Sequence, residues 1–204
     1  MAASTHRGEE ADVLYAHEQL KKKMPRLLTI VVPRHPQRGD EVEKLFKKAK
    51  IKINRRSFGE KITSQTDVYL ADTIGELGLF YKLCAVAFVG GSLVTFGGQN
   101  VLEPARMGKA VITGPHTHNF KEIVERAVEA RALDVVKDKK ELTEALGTLL
   151  QSPKALKKAQ EAAADFARSE MSVLDRLTEA MAPYLALEDN ESSKKTSDIQ
   201  TKEK

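Results

Sequence analysis

Two apolar runs separated by two pairs of glycines lie within residues 86–118, and this stretch constrains the fold more than any other part of the chain. The first run, Val86 to Val89, ends in Gly90-Gly91, and the second is Ala110 to Ile112. Near-continuous apolar runs of this length are typical of parallel strands buried on both faces. The order of strand, glycine loop, helix and strand therefore predicts a βαβ unit, which binds ligands at the carboxyl end of its strands.

The second glycine pair, Gly97-Gly98, leads into a predicted helix start. Asn100 follows as a plausible N-cap, and Glu103 then falls at the third helical position, where a carboxylate faces free amides and the positive end of the helix dipole. Glycines beside a helix start let an anionic or hydroxyl-rich ligand approach main-chain N–H groups. The chain has neither a G-x-x-x-x-G-K-[ST] nor a G-x-G-x-x-G motif, so glycine pairs that serve only as tight turns remain the alternative.

Strand and helix patterns alternate along the rest of the chain and predict an α/β domain with further helices at its C-terminal end. A capped amphipathic helix at residues 4–23 opens the chain, so the strand that should precede it is expected to be missing. Thr73 and Glu76 are spaced as a capping box at the start of another helix. The other predicted strands are 27–32, 51–53, 67–72 and 133–136, and the other predicted helices are 40–50, 119–131, 139–151, 153–169 and 171–185.

Composition restricts the class of protein. The chain is 41% hydrophobic and 30% charged, has one cysteine and contains no apolar run that approaches the roughly 18 residues needed to span a bilayer. It also lacks a recognisable targeting segment. Residues 21–61 carry fourteen Lys or Arg against four Asp or Glu, which suits a phosphorylated substrate, an anionic membrane, nucleic acid or merely a solvated lysine face. Few aromatic residues and no tryptophan argue against nucleic acid.

Four motifs in consistent order carry a family resemblance. They are AASTHRGEE at 2–10, VPRHP at 32–36, DTIGEL at 72–77 and GGSLVTFGGQNVLEPARMGKAVITGPHTHNF at 90–120. Together they resemble the C-terminal half of 3-deoxy-D-manno-octulosonic acid (Kdo) transferases. These glycosyltransferases move Kdo from CMP-Kdo onto a lipid A precursor in lipopolysaccharide biosynthesis, and the resemblance covers about residues 2–185.

The resemblance implies a two-domain GT-B enzyme of which this chain supplies one half. Residues 1–186 would be a Rossmann-like, doubly wound parallel sheet that binds the nucleotide sugar, followed by a disordered polar tail at 187–204. The acceptor domain, with its membrane-facing surface and its general-base glutamate, would be missing. No catalytic residue is therefore expected in this chain, which should be inactive alone. Family members act as peripheral proteins at the cytoplasmic face of the bacterial inner membrane or in plant mitochondria.

The resemblance also implies which residues bind the donor. Those expected to contact CMP are Pro33, Arg34, Gly75, Glu76, Leu77, Asn100, Val101, Leu102 and Glu103. Candidates for the donor pocket are Gly97, Gly98 and His116, and the loop with the two glycines suits the phosphate. Transfer would invert the anomeric centre and need neither metal nor cofactor, and the pair His116 and His118 makes a poor zinc site. Gln99 departs from the histidine expected after the glycine pair.

Three other functions stay open at this point. A UDP-sugar transferase or epimerase of the same architecture would use the same helix that carries Glu103. A noncatalytic nucleotide-binding module would need only the donor site. A basic nucleic-acid binder would show tight, salt-sensitive association with DNA or RNA.

Overall fold

A seven-stranded sheet runs through the computed structural model, which describes residues 1–171 and residue 181. All six pairs of neighbouring strands are parallel. The strands are β1 (Ala2–Thr5), β2 (Thr29–Pro33), β3 (Ile53–Arg55), β4 (Val68–Leu70), β5 (Val86–Val89), β6 (Ala110–Thr113) and β7 (Leu133–Val135). Their order across the sheet is β3-β4-β2-β1-β5-β6-β7. The predicted α/β, doubly wound parallel sheet is thereby confirmed.

Helices cover both faces of the sheet. They are α1 (Glu9–Lys21), α2 (Gly39–Lys48), α3 (Leu77–Leu83), α4 (Leu102–Arg106), α5 (Lys121–Glu129) and α6 (Lys139–Gln151). Apolar residues of α1, α2 and α6 pack with Val31, Leu70 and Phe88 on one face. The alternate strand residues point to the other face, towards α3, α4, α5 and the helical residues 153–167.

The described residues fall into two units. The sheet and its helices belong to the first, Met1–Ala167. The second unit begins at Arg168, and its described residues, 168–171 and 181, are helical. Apart from residues 171 and 181, the helix predicted at 171–185 lies outside the described residues. The disordered tail predicted at 187–204 lies wholly outside them.

The start of the chain differs from the sequence prediction. Residues Ala2–Thr5 form a strand, with Ala2 in register with Val31 on one side and with Phe88 on the other. The helix begins only at Glu9, after Gly8 turns the chain with a φ of 106°. The expectations of a helix from residue 4 and of a missing first strand are therefore wrong. The sequence prediction failed because pairing with the distant strands β2 and β5 stabilises this strand, and its own residues show no β pattern.

β1 occupies the point of the sheet at which the direction of the chain's crossovers changes. The chain passes from β1 to β2 and on to β3 and β4 on one side, and then crosses to β5 on the other side of β1. Neighbouring strands that lead their connections to opposite sides leave a gap at their carboxyl ends, where ligands of open α/β sheets bind. The loops after β1 and β5 therefore frame the expected binding crevice.

The capping box predicted at the start of α3 is absent. The helix begins at Leu77, and Glu76 at its N-cap position makes no side-chain bond to the helix backbone. The hydroxyl of Thr73 instead donates to the carboxylate of Glu76. An arginine from another loop, Arg56, pairs with the same carboxylate, so its oxygens are used away from the helix.

Candidate functional site

A buried carboxylate fills the first glycine loop. Glu9 is fully buried, and its two oxygens accept the backbone N–H groups of Gly91 at 2.7 Å, Ser92 at 3.0 Å and Leu93 at 3.0 Å. The same side chain accepts the N–H of His6 at 2.9 Å. These amides are therefore satisfied by the protein itself and are not available to a ligand phosphate.

Close packing explains the glycine that precedes this loop. A β-carbon on Gly90 would lie 2.8 Å from Oε2 of Glu9 and 2.8 Å from the carbonyl oxygen of Ser4. Only a residue without a side chain lets β5 end so close to β1. The loop shape is thus determined by contact between the loops after β1 and β5.

Glycine is required at the second pair for a different reason, the backbone conformation. Gly97 and Gly98 have φ values of 89° and 76°, which side chains rarely adopt. A β-carbon on Gly97 would also lie 2.4 Å from Nδ2 of Asn119. The N–H of Gly98 donates to the carbonyl of Gly91 at 2.8 Å, so this amide too is used within the protein.

The loop after β6 is joined to the loop after β5. The N–H of Gly114 donates to the hydroxyl of Ser92 at 2.8 Å, and the N–H of His116 donates to the carbonyl of Ser92 at 2.9 Å. The backbone of His116 is therefore fixed, while its side chain is exposed at the carboxyl edge of the sheet. Gly98 lies against the backbone of His116 and Thr117, so the structure brings Gly97, Gly98 and His116 together at this edge. Their part in donor binding stays a prediction.

The N-cap residue of the helix that follows is Val101, one position after the predicted Asn100. The Oδ1 of Asn100 still accepts the N–H of the first helical residue, Leu102, at 2.9 Å. The helix starts at Leu102, so Glu103 is its second residue rather than its third. Val101 is 2% exposed and packs in the core, so only its backbone can reach a ligand.

Glu103 is the unpaired carboxylate of the site. It is half-buried, and within the described part of the chain its side chain makes no hydrogen bond or ion pair. Burial raises the pKa of Tyr81, and the nearby charge of Glu103 contributes to the same shift. The carboxylate thus lies next to an aromatic side chain of α3 with its acceptor oxygens unused.

The side chain of Glu76 is used by the protein. Arg56 donates to its two oxygens at 3.0 Å and 2.6 Å. These bonds and that from Thr73 lower the pKa of Glu76 to about 2. A ligand could therefore meet this segment mainly through its backbone, which Gly75 turns with a φ of 83°.

Helix α3 lies next to α4. Leu77 and Met107 both pack against the core cluster that contains Tyr81, and the two helices contact each other. The structure therefore brings Leu77, the last residue of the predicted segment from Gly75 to Leu77, close to the helix that carries Glu103. Two of the three predicted CMP-binding segments share one side of the crevice.

Pro33 and Arg34 lie at the carboxyl end of β2. Pro33 is buried, Arg34 is exposed, and the N–H of Arg34 donates to the carbonyl of Thr5 at 2.9 Å. No hydrogen bond or ion pair of the Arg34 guanidinium is found among the described residues. An unpaired guanidinium beside the crevice is a ready partner for a phosphate.

Sequence reasoning missed two residues of the site, His6 and Glu9. His6 directly follows the strand that was not predicted, and Glu9 is the first residue of the helix after it. The only available signal was the STHRGEE segment itself, whose partners lie more than 80 residues away in the chain.

No group of three or more His, Cys, Asp or Glu that could hold a metal is found in the described residues. Nor does any helix there reach the length and apolarity that crossing a membrane requires.

Comparison with known proteins decides the family. No protein-family model matches the chain. It is 42% identical over 186 residues to the 3-deoxy-D-manno-octulosonic acid transferase of Haemophilus influenzae, covering 91% of this chain and 44% of that protein. The structure of the C-terminal CMP-Kdo binding domain of WaaA from Acinetobacter baumannii matches with a TM-score of 0.78 and 37% identity, over 81% of this chain and 86% of that domain. The chain belongs to the Kdo transferase family.

A second Kdo transferase shows how much of the length of these proteins the chain covers. The probable 3-deoxy-D-manno-octulosonic acid transferase, mitochondrial, of Arabidopsis thaliana is 38% identical over 169 residues, which are 81% of this chain and 38% of the plant protein. The chain therefore spans less than half the length of these Kdo transferases. The C-terminal domain of a group 1 family glycosyl transferase from Francisella tularensis shares the fold, at 16% identity and a TM-score of 0.57 over 84% of this chain and 83% of that domain.

Proposed function

We propose that this chain binds CMP-Kdo and forms the donor half of a transferase that moves Kdo onto a lipid A precursor. The observation that carries this proposal is the likeness to the Acinetobacter domain, which is named for CMP-Kdo binding and is covered over 86% of its length. The crevice between β1 and β5 is the place where the fold would receive such a ligand.

In this proposal three segments of the chain each bind a different part of CMP. The free carboxylate of Glu103 accepts the two ribose hydroxyls, because an ionised carboxylate offers acceptors only. The guanidinium of Arg34 holds the phosphate in a planar fork. The backbone of the Gly75 to Leu77 segment borders the cytosine, since the Glu76 side chain is already paired with Arg56.

The remaining predicted residues are given narrower roles. Asn100 and Val101 shape the start of α4 through a hydrogen bond and a core contact, so their contribution to CMP is through the backbone. Leu102 packs at the edge of the same core cluster. Gly97, Gly98 and the exposed His116 line the sugar side of the crevice.

The proposed reaction is an inverting transfer. A carboxylate of the acceptor half deprotonates the acceptor hydroxyl, whose oxygen forms the new bond to Kdo as the bond to the CMP phosphate oxygen breaks. Arg34 offsets the negative charge that develops on the departing phosphate, and no metal is invoked. The lipid A precursor would reach this chain through the acceptor half, at a membrane surface or, as the name of the Arabidopsis relative suggests, in a mitochondrion.

A noncatalytic nucleotide-binding module is the second candidate. Binding of the donor without turnover would be its whole activity.

Calorimetry with nucleotides tests the donor site. We expect CMP to bind at least tenfold more tightly than UMP, a difference of about 1.4 kcal/mol, because the base edge is read by fixed backbone groups. Inorganic phosphate serves as the control for nonspecific anion binding. UMP binding as tightly as CMP would instead favour a UDP-sugar enzyme, and no heat with CMP at millimolar concentration would contradict the proposal.

Turnover measurements separate the enzyme from the binding module. We expect no Kdo transfer from CMP-Kdo to a lipid A precursor by the chain alone, because the general base belongs to the acceptor half. Addition of the N-terminal half of the Haemophilus relative should restore transfer, and the same half mixed with the Glu103→Ala chain is the control. Transfer by the chain alone would show that the base lies within it.

A further inference from the structure

The imidazole of His6 is buried at the crevice with an unused nitrogen. His6 follows β1 directly and is 7% exposed, and Nε2 has no hydrogen-bond partner within the described part of the chain. Leaving a buried polar group unpaired costs about 1–3 kcal/mol. Native proteins rarely keep such groups without a reason, and a missing ligand is a common one.

Aromatic contacts fix the ring in place. It stacks on Phe96 with centroids 4.2 Å apart and planes inclined by 21°, and it meets the ring of His35 edge-on at 5.7 Å. Phe96 comes from the loop between the two glycine pairs and is 55% exposed. An apolar ring is thus left largely in solvent while it covers the imidazole on the open side of the crevice.

The unused nitrogen lies next to Gly91, on the side where that residue carries no side chain. A β-carbon on Gly91 would lie 3.4 Å from Nε2 of His6 and 3.6 Å from the amide nitrogen of Gln99. Two polar groups from different loops therefore converge on the same space. Both loops are held by Glu9, which accepts the N–H groups of His6 and Gly91.

The charge around this imidazole favours its neutral form. Burial lowers the pKa of His6, and His35 and Arg34 act in the same direction, while Glu9 and Glu10 oppose them. At neutral pH the ring therefore carries one N–H donor and one acceptor. Such a group suits hydroxyl and carboxylate partners, which a sugar acid supplies.

We infer that Nε2 of His6 binds the sugar acid of the donor rather than its cytidine, an inference that rests on the proposed function. The N–H of Arg34, the proposed phosphate ligand, donates to the carbonyl of Thr5, the residue before His6. The ring of His6 stacks on Phe96, the residue before Gly97 on the proposed sugar side. His6 therefore lies between the phosphate ligand and the sugar side of the site, where it meets the sugar.

Two ligands and two variants test the inference. His6→Phe keeps an aromatic ring to stack on Phe96 but removes the nitrogen, and His6→Gln keeps an amide nitrogen. With His6→Phe we expect the Kd of CMP to stay within twofold of the wild-type value and the Kd of a non-hydrolysable CMP-Kdo analogue to rise about tenfold. His6→Gln should recover part of that loss. Equal losses for both ligands, or no loss for either, would overturn the inference.

Nitrogen NMR of the wild-type chain gives an independent measurement that needs no variant. The analogue should shift the Nε2 resonance of His6, and CMP should leave it in place. An unchanged resonance with the analogue bound contradicts the inference while the proposed function stands. Failure of the wild-type chain to bind either ligand overturns the proposed function and this inference with it.

Discussion

Replacing Glu103 with alanine will weaken CMP binding at least tenfold and leave the fold intact. The expected loss of about 1.4 kcal/mol or more reflects removal of the acceptor for the ribose hydroxyls. Because this carboxylate makes no hydrogen bond or ion pair among the described residues, its removal breaks no contact that holds the structure together. We therefore expect the free energy of unfolding to change by less than about 0.5 kcal/mol. Calorimetry and urea unfolding measure the two quantities.

A matched control for this variant is Glu129→Ala. Glu129 is the exposed last residue of α5 and, like Glu103, makes no hydrogen bond or ion pair within the described residues. It lies on a helix that contributes no predicted CMP contact. Equal CMP affinities of Glu103→Ala and Glu129→Ala would remove Glu103 from the site, whatever the affinity of the wild-type chain.

Replacing Glu9 with glutamine will destabilise the domain strongly, on the order of 3 kcal/mol. The amide nitrogen of glutamine is a donor, and it would face the N–H groups that the carboxylate now accepts from His6, Gly91, Ser92 and Leu93. Some of these buried donors would lose their partner, and the charge-assisted strength of the others would be lost. Urea unfolding measures the effect, and CMP affinity should fall with it as the loop moves.

The control for this variant lies on the same helix. Glu18 is exposed on α1, so Glu18→Gln makes the same chemical change without affecting a buried bond. Its free energy of unfolding should stay within about 0.5 kcal/mol of the wild-type value. If Glu9→Gln were as stable as Glu18→Gln, the buried carboxylate would not be what holds the two loops together.

Much of the fold could be predicted because its signals are local. The buried strands β2, β5 and β6 are apolar runs, and α6 was predicted with its observed bounds. The bond from the Asn100 side chain to the start of α4 could be predicted, although the N-cap lies one residue later, because the two groups are two residues apart. Contacts between residues close in the sequence can be predicted, because both partners are visible in one short segment.

The first strand and its buried glutamate could not be predicted for the opposite reason. The segment AAST has small residues and no alternating pattern, and its burial comes from β2 and β5. Glu9 and Glu10 are acidic residues in the first turn of α1, where they complement the positive end of the helix dipole. Nothing local shows that Glu9 also accepts bonds from a loop more than 80 residues away. Similarly, the pairing of Glu76 with Arg56 competes with the predicted capping box and depends on tertiary structure.

The central place of β1 has a consequence for how the whole domain responds to a ligand. The strands β2, β3 and β4 are linked to β5, β6 and β7 only through β1 within this sheet, and β1 and β5 pair across some 85 residues of chain. Such distant pairing is slow to form and is expected to complete the sheet late in folding. A nucleotide bound at the carboxyl ends of β1 and β5 would stabilise the strands on both sides of this pair at the same time. Its thermal protection should then extend to the outermost strands, β3 and β7, although both lie at the far margins of the sheet.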